Sequence, residues 1–306
     1  MDLKSKIILI SGPTASGKTK FSILLAKQIN GEIINADSMQ VFKELKILTA
    51  RPKPKEIKGV KHHLYGFKSV RDNYSVGEWL KDAKKKIKSI KKKNKIPILA
   101  GGTGLYFKAL IDGIVKIPNI PHSIRNKIRK RQIQIGQSKF YSELIKIDPI
   151  SKKKINKNDT QRSIRAYEVK KFTNKSLFEW YSNTSSEFVK DEFIKLYIDC
   201  QREDLLKQIY KRTDEMIKEG AIKEAQRFYR LNVKTDLSSN KVIGLSEVRE
   251  FLGQNKDIDY LKEKISIKTR QYAKRQKTWA RGQMFEWQKI KYSDLKLLIK
   301  KIAKSA

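Results

Sequence analysis

One cysteine, three histidines and seven prolines stand in 306 residues, and each scarcity removes a class of protein. A lone Cys200 can neither close an intramolecular disulfide nor build a cysteine-only metal site, so neither an oxidising compartment nor structural zinc is indicated. No stretch approaches the roughly 18 to 20 apolar residues of a membrane span. Met1 to Ile10 enters a short apolar run without a cleavable signal pattern. A cytoplasmic protein with no membrane partner is the expectation, acting as a monomer. Acids are scarce as well: 32 Asp and Glu face 69 Lys and Arg, a formal net charge of +37. Such a field concentrates polyanions at the surface and points to nucleic acid. The competing reading is a solvated lysine-rich surface, because Lys, Ile and Asn are enriched together.

What is present suffices for a core. Hydrophobic residues make up 39% of the chain, with 12 Phe, 12 Tyr and 4 Trp among them, which suits one large domain or a domain carrying an insertion. Ile7 to Ile10 reads as a strand that stops at Ser11-Gly12-Pro13, and Lys18 to Ile29 reads as a helix. Further strands are predicted at Glu32 to Ala36, Ile96 to Ala100 and Ile194 to Ile198. Trp79, Leu80, Ala83, Ile87 and Ile90 recur at helical spacing. Another helix is predicted from Glu203 to Glu219 with Gly220 as its stop signal. This alternation predicts an α/β fold, a parallel sheet with helices on both faces and ligands at the carboxyl ends of its strands. From about Lys116, past Pro118 and Pro121, strand patterning gives way to basic helical periodicity. Residues 116–194 are therefore expected as an inserted helical subdomain, with 1–115 and 195–306 as the core and C-terminal helices.

The chemistry sits at strand ends. Gly12-Pro13-Thr14-Ala15-Ser16-Gly17-Lys18-Thr19 fits G-x-x-x-x-G-K-[ST] between a predicted strand and a predicted helix, the context in which the pattern means phosphate binding. Its backbone amides can approach phosphate oxygens, Lys18 offsets their charge, and Thr19 can hold Mg²⁺. Asp37, within Asn35 to Gln40, reads equally as a helix cap, a metal-site acid or a general base. Gly101-Gly102-Thr103-Gly104 permits close backbone approach, with Thr103 as its hydroxyl. Asp159 can cap a helix on which Gln161 and Arg165 share a face. Near the C-terminus Arg270, Lys274, Lys277 and Arg281 fall on one helical stripe, and Tyr272, Gln276 and Trp279 on another. The first suits phosphate contact and the second packing or base stacking.

In this order the phosphate loop, Asp37 to Gln40, Gly59-Val60-Lys61-His62-His63-Leu64, Gly101 to Tyr106, Gln161 to Arg165 and Arg270 to Arg281 resemble the tRNA dimethylallyltransferase family along essentially the whole chain. The resemblance implies a P-loop NTPase-like core with a helical insertion, dimethylallyl diphosphate as donor and Mg²⁺ as cofactor. It implies as acceptor the adenine 3′-adjacent to the anticodon, in the anticodon stem-loop of tRNAs reading codons that begin with U. By position it makes Asp37 the general base, Thr103 a residue of the channel where base and donor meet, and Arg212 the arginine on the leaving diphosphate. Gly12 to Thr19 become the diphosphate site. Asp37, Ser38, Met39, Gln40, Arg125, Gln161, Arg162, Ser163, Ile164, Arg165, Arg270, Lys274 and Arg281 become tRNA contacts. Two departures stand out: Phe42 where tyrosine is common, and Gly244-Leu245-Ser246-Glu247 without the usual tyrosine-arginine pair. His62-His63 is family-like and is read as structural. A nucleic-acid-stimulated P-loop ATPase or small-molecule kinase is the alternative, in which Asp199, ending the apolar run Leu196-Tyr197-Ile198, would hold a second metal contact.

Overall fold

Ile7–Ser11 (β1) is aliphatic almost throughout and wholly buried, as a strand covered on both faces requires. After it come α1 (Lys18–Gln28), β2 (Gly31–Asn35), the single turn α2 (Pro54–Ile57), the two-residue β3 (His62–His63), α3 (Val76–Lys91), β4 (Ile96–Gly101) and α4 (Gly104–Asp112). Four helices follow: α5 (His122–Ile147), α6 (Ser151–Lys154), α7 (Thr160–Thr173) and α8 (Leu177–Tyr181). The chain then runs through β5 (Phe193–Asp199), α9 (Arg202–Lys218), α10 (Ala221–Arg230), α11 (Leu245–Gly253), α12 (Ile258–Gln283), β6 (Gln288–Lys291) and α13 (Leu295–Ala303). The structure, a computed structural model, describes residues 3, 5–57, 59–182, 184–254 and 257–303. Among these no helix is long and apolar enough to cross a membrane.

The six strands make one all-parallel sheet in the order β3-β2-β4-β1-β5-β6. β1 is central, with Ile8 opposite Ile98 on one side and Ile194 on the other. Pro97 is tolerated inside β4 because the pairing with β1 begins only at Ile98, so its missing N–H interrupts no ladder bond on that side. The edge strands β3 and β6 escape sequence reading: β3 has two residues, and β6 buries only Ile290 of its four. α3 is as its spacing predicts, burying Trp79, Leu80, Ala83, Ile87 and Ile90 behind a Ser75–Glu78 capping box.

By contacts the chain divides into two compact units, Met1–Ile111 with Phe188–Ala306, and Asp112–Glu187. The second packs Phe140, Leu144, Ala166, Tyr167 and Val169 in a core of its own. Its long helix α5 is interrupted at Gly136 (φ 76°, ψ 165°), and the two halves fold back so that Arg131 Nε lies 2.9 Å from Glu143 Oε2. Twelve residues of straight helix would hold those groups about 18 Å apart.

Three acids are buried in the first unit, Glu32, Glu224 and Glu247, each because partners satisfy it. Glu32 in β2 accepts from Lys95 and lies 2.7 Å from His63 Nε2, while His62 Nδ1 lies 2.8 Å from the Val60 carbonyl. The histidine pair thus serves packing and pairing at the sheet edge. Glu224 of α10 takes the backbone N–H groups of Lys46, Ile47 and Leu48 at 2.8 to 2.9 Å. Glu224→Ala leaves those donors without an acceptor, and a loss of about 3 kcal/mol in unfolding free energy is expected from urea titration. Wild-type stability would mean the segment finds other acceptors.

Candidate active site

The turn from β1 into α1 is built for an anion. Gly17 takes φ 82°, the left-handed region a side chain resists, and turns the chain into α1, whose first-turn amides have no partner within the helix. Ser16 Oγ is buried with no hydrogen-bond partner among the described residues. Lys18 is half-buried and its Nζ donates to the Pro13 carbonyl at 2.5 Å. Burial lowers its pKa to about 8, with Asp37 opposing the shift and Arg212 adding to it. Arg212, on α9, donates from Nη1 to Thr14 Oγ1 at 2.9 Å. Burial lowers its pKa too, against the pull of Asp37. Two cations thus converge on the loop, both in surroundings that favour the arrival of negative charge.

On the other side of β1, the ends of β2 and β4 bring Asp37 and Thr103 together. Asn35 Nδ2 donates to the carbonyls of Asp37 and Leu64, and Asn35 Oδ1 accepts from Asp37 N, so this buried amide shapes the turn. Trp79 Nε1 fixes the Asn35 carbonyl at 2.8 Å. Asp37 Oδ1 accepts from Met39 N at 2.9 Å, as a turn cap would. Thr103 Oγ1 accepts from Ser38 N at 3.0 Å. The phenol pKa values of Tyr65, Tyr106 and Tyr272 are all pushed up by burial first and by the charge of Asp37 second. One carboxylate therefore sets the field on both the phosphate side and the side lined by these rings. Gln40 donates to the carbonyls of Thr49 and Ala50, and Met39 packs on the adjoining core cluster.

The polyanion candidates divide. On α12, Arg270, Lys274 and Arg281 are exposed, but Lys277 turns inward and donates to the Cys200 carbonyl at 2.5 Å, which removes it from the expected stripe. In the second unit Asp159 caps α7 by accepting from Arg162 N, and Gln161 and Arg162 are exposed. Arg165 lies 3.6 Å from Glu168, and the Arg125 Nε is buried with no hydrogen-bond partner among the described residues. Ser163 is fully buried in the free chain and its hydroxyl donates to the Asp159 carbonyl. Ile164 is half-buried against the core of that unit.

The departures are accommodated locally. Phe42 is fully buried among apolar neighbours, where a hydroxyl has no evident use. In the 244–247 segment Glu247 turns back to accept from Gly244 N, and a Cβ on Gly244 would come 2.4 Å from Leu48 Cδ2. Sequence reasoning missed one residue that joins these pieces: Gln276 of α12 contacts both the phosphate loop and the glycine turn after β4. Its place on the stripe shared with Tyr272 and Trp279 was the available signal.

For Mg²⁺, no group of three or more His, Cys, Asp or Glu among the described residues is placed to hold a metal. Thr19 presents an exposed hydroxyl in the first turn of α1, next to the loop. That donor set fits an ion carried mainly by phosphate oxygens, as Mg²⁺ commonly is.

A parallel sheet with a phosphate-cradling loop after β1, and an acid and a hydroxyl after the neighbouring strands, defines a P-loop protein equipped for group transfer from a phosphate ester. Residues 40–283 match the family model described as IPP transferase. The tRNA dimethylallyltransferase of Pelagibacter ubique (strain HTCC1062) is 56% identical over 306 residues, covering 100% of this chain and 98% of that one. The tRNA dimethylallyltransferase of Rickettsia massiliae (strain Mtu5) is 41% identical, covering 95% and 80%. Among solved structures, the full-length tRNA isopentenylpyrophosphate transferase from Bacillus halodurans superimposes with TM-score 0.69 at 31% identity, covering 98% of this chain and 96% of that one. A eukaryotic dimethylallyltransferase acting on tRNA gives TM-score 0.80 at 28% identity, covering 95% and 75%. The chain belongs to the tRNA dimethylallyltransferase family.

The low pKa of Lys18 has a measurable consequence. Its charge is present below about pH 8 and lost above, so affinity for inorganic diphosphate should fall as pH rises through 8. Lys18→Arg should flatten that loss, because arginine stays charged throughout. Taking the ratio of the two titrations cancels the ligand's own protonation, and parallel curves would remove Lys18 from the site.

Proposed function

We propose that this chain transfers a dimethylallyl group from dimethylallyl diphosphate to the exocyclic amine of the adenine 3′-adjacent to the anticodon, in tRNAs reading codons that begin with U. Membership of the family supports the reaction class, and the single local observation that carries the reading is Asp37 lying within the electrostatic reach of both Lys18 and Arg212. Base and phosphate site thereby lie close enough to act on one another. The reaction belongs to a cytoplasmic protein working as a monomer.

The step balances as a displacement. The amine nitrogen forms a bond to C1 of the allyl group while the C1–O bond breaks, and its electron pair leaves on the diphosphate. The proton lost by the amine passes to Asp37, whose Oδ1 is engaged by Met39 N and whose Oδ2 accepts no hydrogen bond among the described residues. The amides of Gly17, Lys18 and Thr19 at the start of α1, the Lys18 ammonium and Arg212 take up the charge that develops on the leaving group, in a site where preorganised donors count for more than in water. Thr19 and the diphosphate oxygens would hold Mg²⁺, which would supply further positive charge there. Thr103, bonded to Ser38, borders the channel on the acceptor side. The adenine must leave its stack to reach Asp37, as bases do when enzymes act on them.

The tRNA is assigned to two surfaces: the helical unit Asp112–Glu187 as an RNA-binding insertion, through Arg125, Gln161, Arg162 and Arg165, and the exposed Arg270, Lys274 and Arg281 of α12. The segment Asp37 to Gln40 contacts the acceptor loop. The P-loop ATPase or kinase alternative is disfavoured by Asp199, which lies 3.9 Å from Lys277 as an ion-pair partner.

Incubation with unmodified tRNA, Mg²⁺ and either dimethylallyl diphosphate or ATP, followed by nucleoside mass spectrometry and a phosphate assay, decides between them. One five-carbon unit on adenine and negligible ATP hydrolysis is the expected outcome; ATP turnover without prenylated adenosine would favour the alternative. Asp37→Asn keeps the volume and the cap but cannot accept a proton, so single-turnover transfer should fall by ~10² to 10⁴ with dissociation constants unmoved. Turnover at the wild-type rate would strip Asp37 of its role. Neutralising Arg270, Lys274 and Arg281 together should lower tRNA affinity and remove roughly 0.7 to 0.9 per lost phosphate contact from the log-log salt slope. An unchanged slope would leave the stripe merely solvated.

A further inference from the structure

Gln276 is half-buried on α12, and its one amide reaches two loops that lie far apart in sequence. Oε1 accepts from Thr14 N at 2.7 Å, and Nε2 donates to the Gly102 carbonyl at 2.9 Å. Thr14 is the phosphate-loop residue whose hydroxyl takes Arg212. Gly102 precedes Thr103, whose hydroxyl holds the Ser38 amide beside Asp37. The fit is close: a Cβ on Gly102 would stand 2.1 Å from Gln276 Nε2. One helical turn to either side, the same face of α12 carries Tyr272, whose phenol lies near enough to Thr103 and Gln276 to feel both, and Trp279, whose Nε1 would lie 2.1 Å from a Cβ on Gly104.

We infer that Gln276 is a positioning residue for prenyl transfer, fixing the separation between the phosphate loop that holds the donor and the turn that borders the acceptor base. The inference rests on the transfer reaction proposed above. An amide suits the task because it carries an acceptor at one end and a donor at the other. Methionine has nearly the same length and neither group. A carboxylate accepts only, so Gln276→Glu keeps the bond from Thr14 N but sets an oxygen anion against the Gly102 carbonyl. Once protonated, the same carboxyl again offers an acceptor to Thr14 N and a donor to Gly102.

The residue touches neither leaving group nor amine in this scheme, so its loss should appear in the rate at saturation. A displacement of about 1 Å between reacting groups lowers a rate by ~10²-fold, which is the loss expected for Gln276→Met in single-turnover transfer with saturating tRNA and dimethylallyl diphosphate. Affinity for the anticodon stem-loop and the thermal midpoint should stay at wild-type values. For Gln276→Glu, the rate divided by the wild-type rate at the same pH should climb as pH is lowered from 8.5 to 6, while the ratio for Gln276→Met stays flat. Dividing by wild type removes whatever pH dependence the two proteins share.

Three results would overturn the inference: Gln276→Met transferring at the wild-type rate, a rate loss matched by lost stem-loop affinity or a lowered thermal midpoint, or a pH-independent Gln276→Glu ratio. Absence of transfer by the wild-type chain itself would instead bring down the functional reading, so the two failures are told apart by the reference protein in the same assay.

Discussion

The carboxyl ends of β2 and β4 can meet only because residue 101 has no side chain. A Cβ on Gly101 would fall 2.1 Å from both the carbonyl carbon and the oxygen of Ala36, backbone atoms with no room to retreat. In that contact Ala36 accepts from Thr103 N at 3.1 Å, Thr103 in turn accepts from Ser38 N, and Asp37 is held between them. The neighbourhood of acid and hydroxyl is thus a property of two strand ends pressed together rather than of either loop. Even alanine at 101 would have to part the strands, and with them the turn on which Gln276 rests.

Charge acts on two scales here, and the two should be kept apart. Over the surface, lysine and arginine outnumber acids by enough to draw in a polyanion from a distance, an effect that salt weakens. Inside the cleft the count is small: Lys18 and Arg212 against Asp37, whose charge acts on both cations. Burial makes both cations less content with their charge, which raises what they gain when a diphosphate arrives. Asp37 moderates this, holding the cations charged without neutralising the loop by a direct ion pair among the described residues.

Much of the core was legible in the sequence, because its strands are short aliphatic runs ending in glycine or acid and α3 has a clean apolar stripe. The phosphate loop was equally plain, since pattern and context agreed. Edge strands were not, for a two-residue β3 and a β6 with one buried side chain carry almost no periodic signal. Lys277 shows the limit of face-counting on helices: it stands where a polyanion contact is plausible, yet its ammonium turns in to Cys200. The roles of Gln276 and Glu224 are hidden for a further reason. Each earns its place through backbone groups more than 170 positions away, and backbone groups leave no trace in residue identity.

The fold-back at Gly136 bears on how such a sheet is assembled at all. β1 must find β5 across nearly two-thirds of the chain, as the pairing of Ile7 with Phe193 makes plain, and closing so long a loop is entropically slow. Within the second unit the contacts are local by comparison, Arg131 with Glu143 and Gln137 with Ser163, so it can form without waiting for the sheet. Its two ends then lie side by side, for a Cβ on Gly113 would sit 2.0 Å from the Ser185 carbonyl oxygen. Once that unit is folded, the excursion between β4 and β5 shrinks from a long tether to a short clip, and the central strand meets its last inner neighbour over a greatly reduced contour.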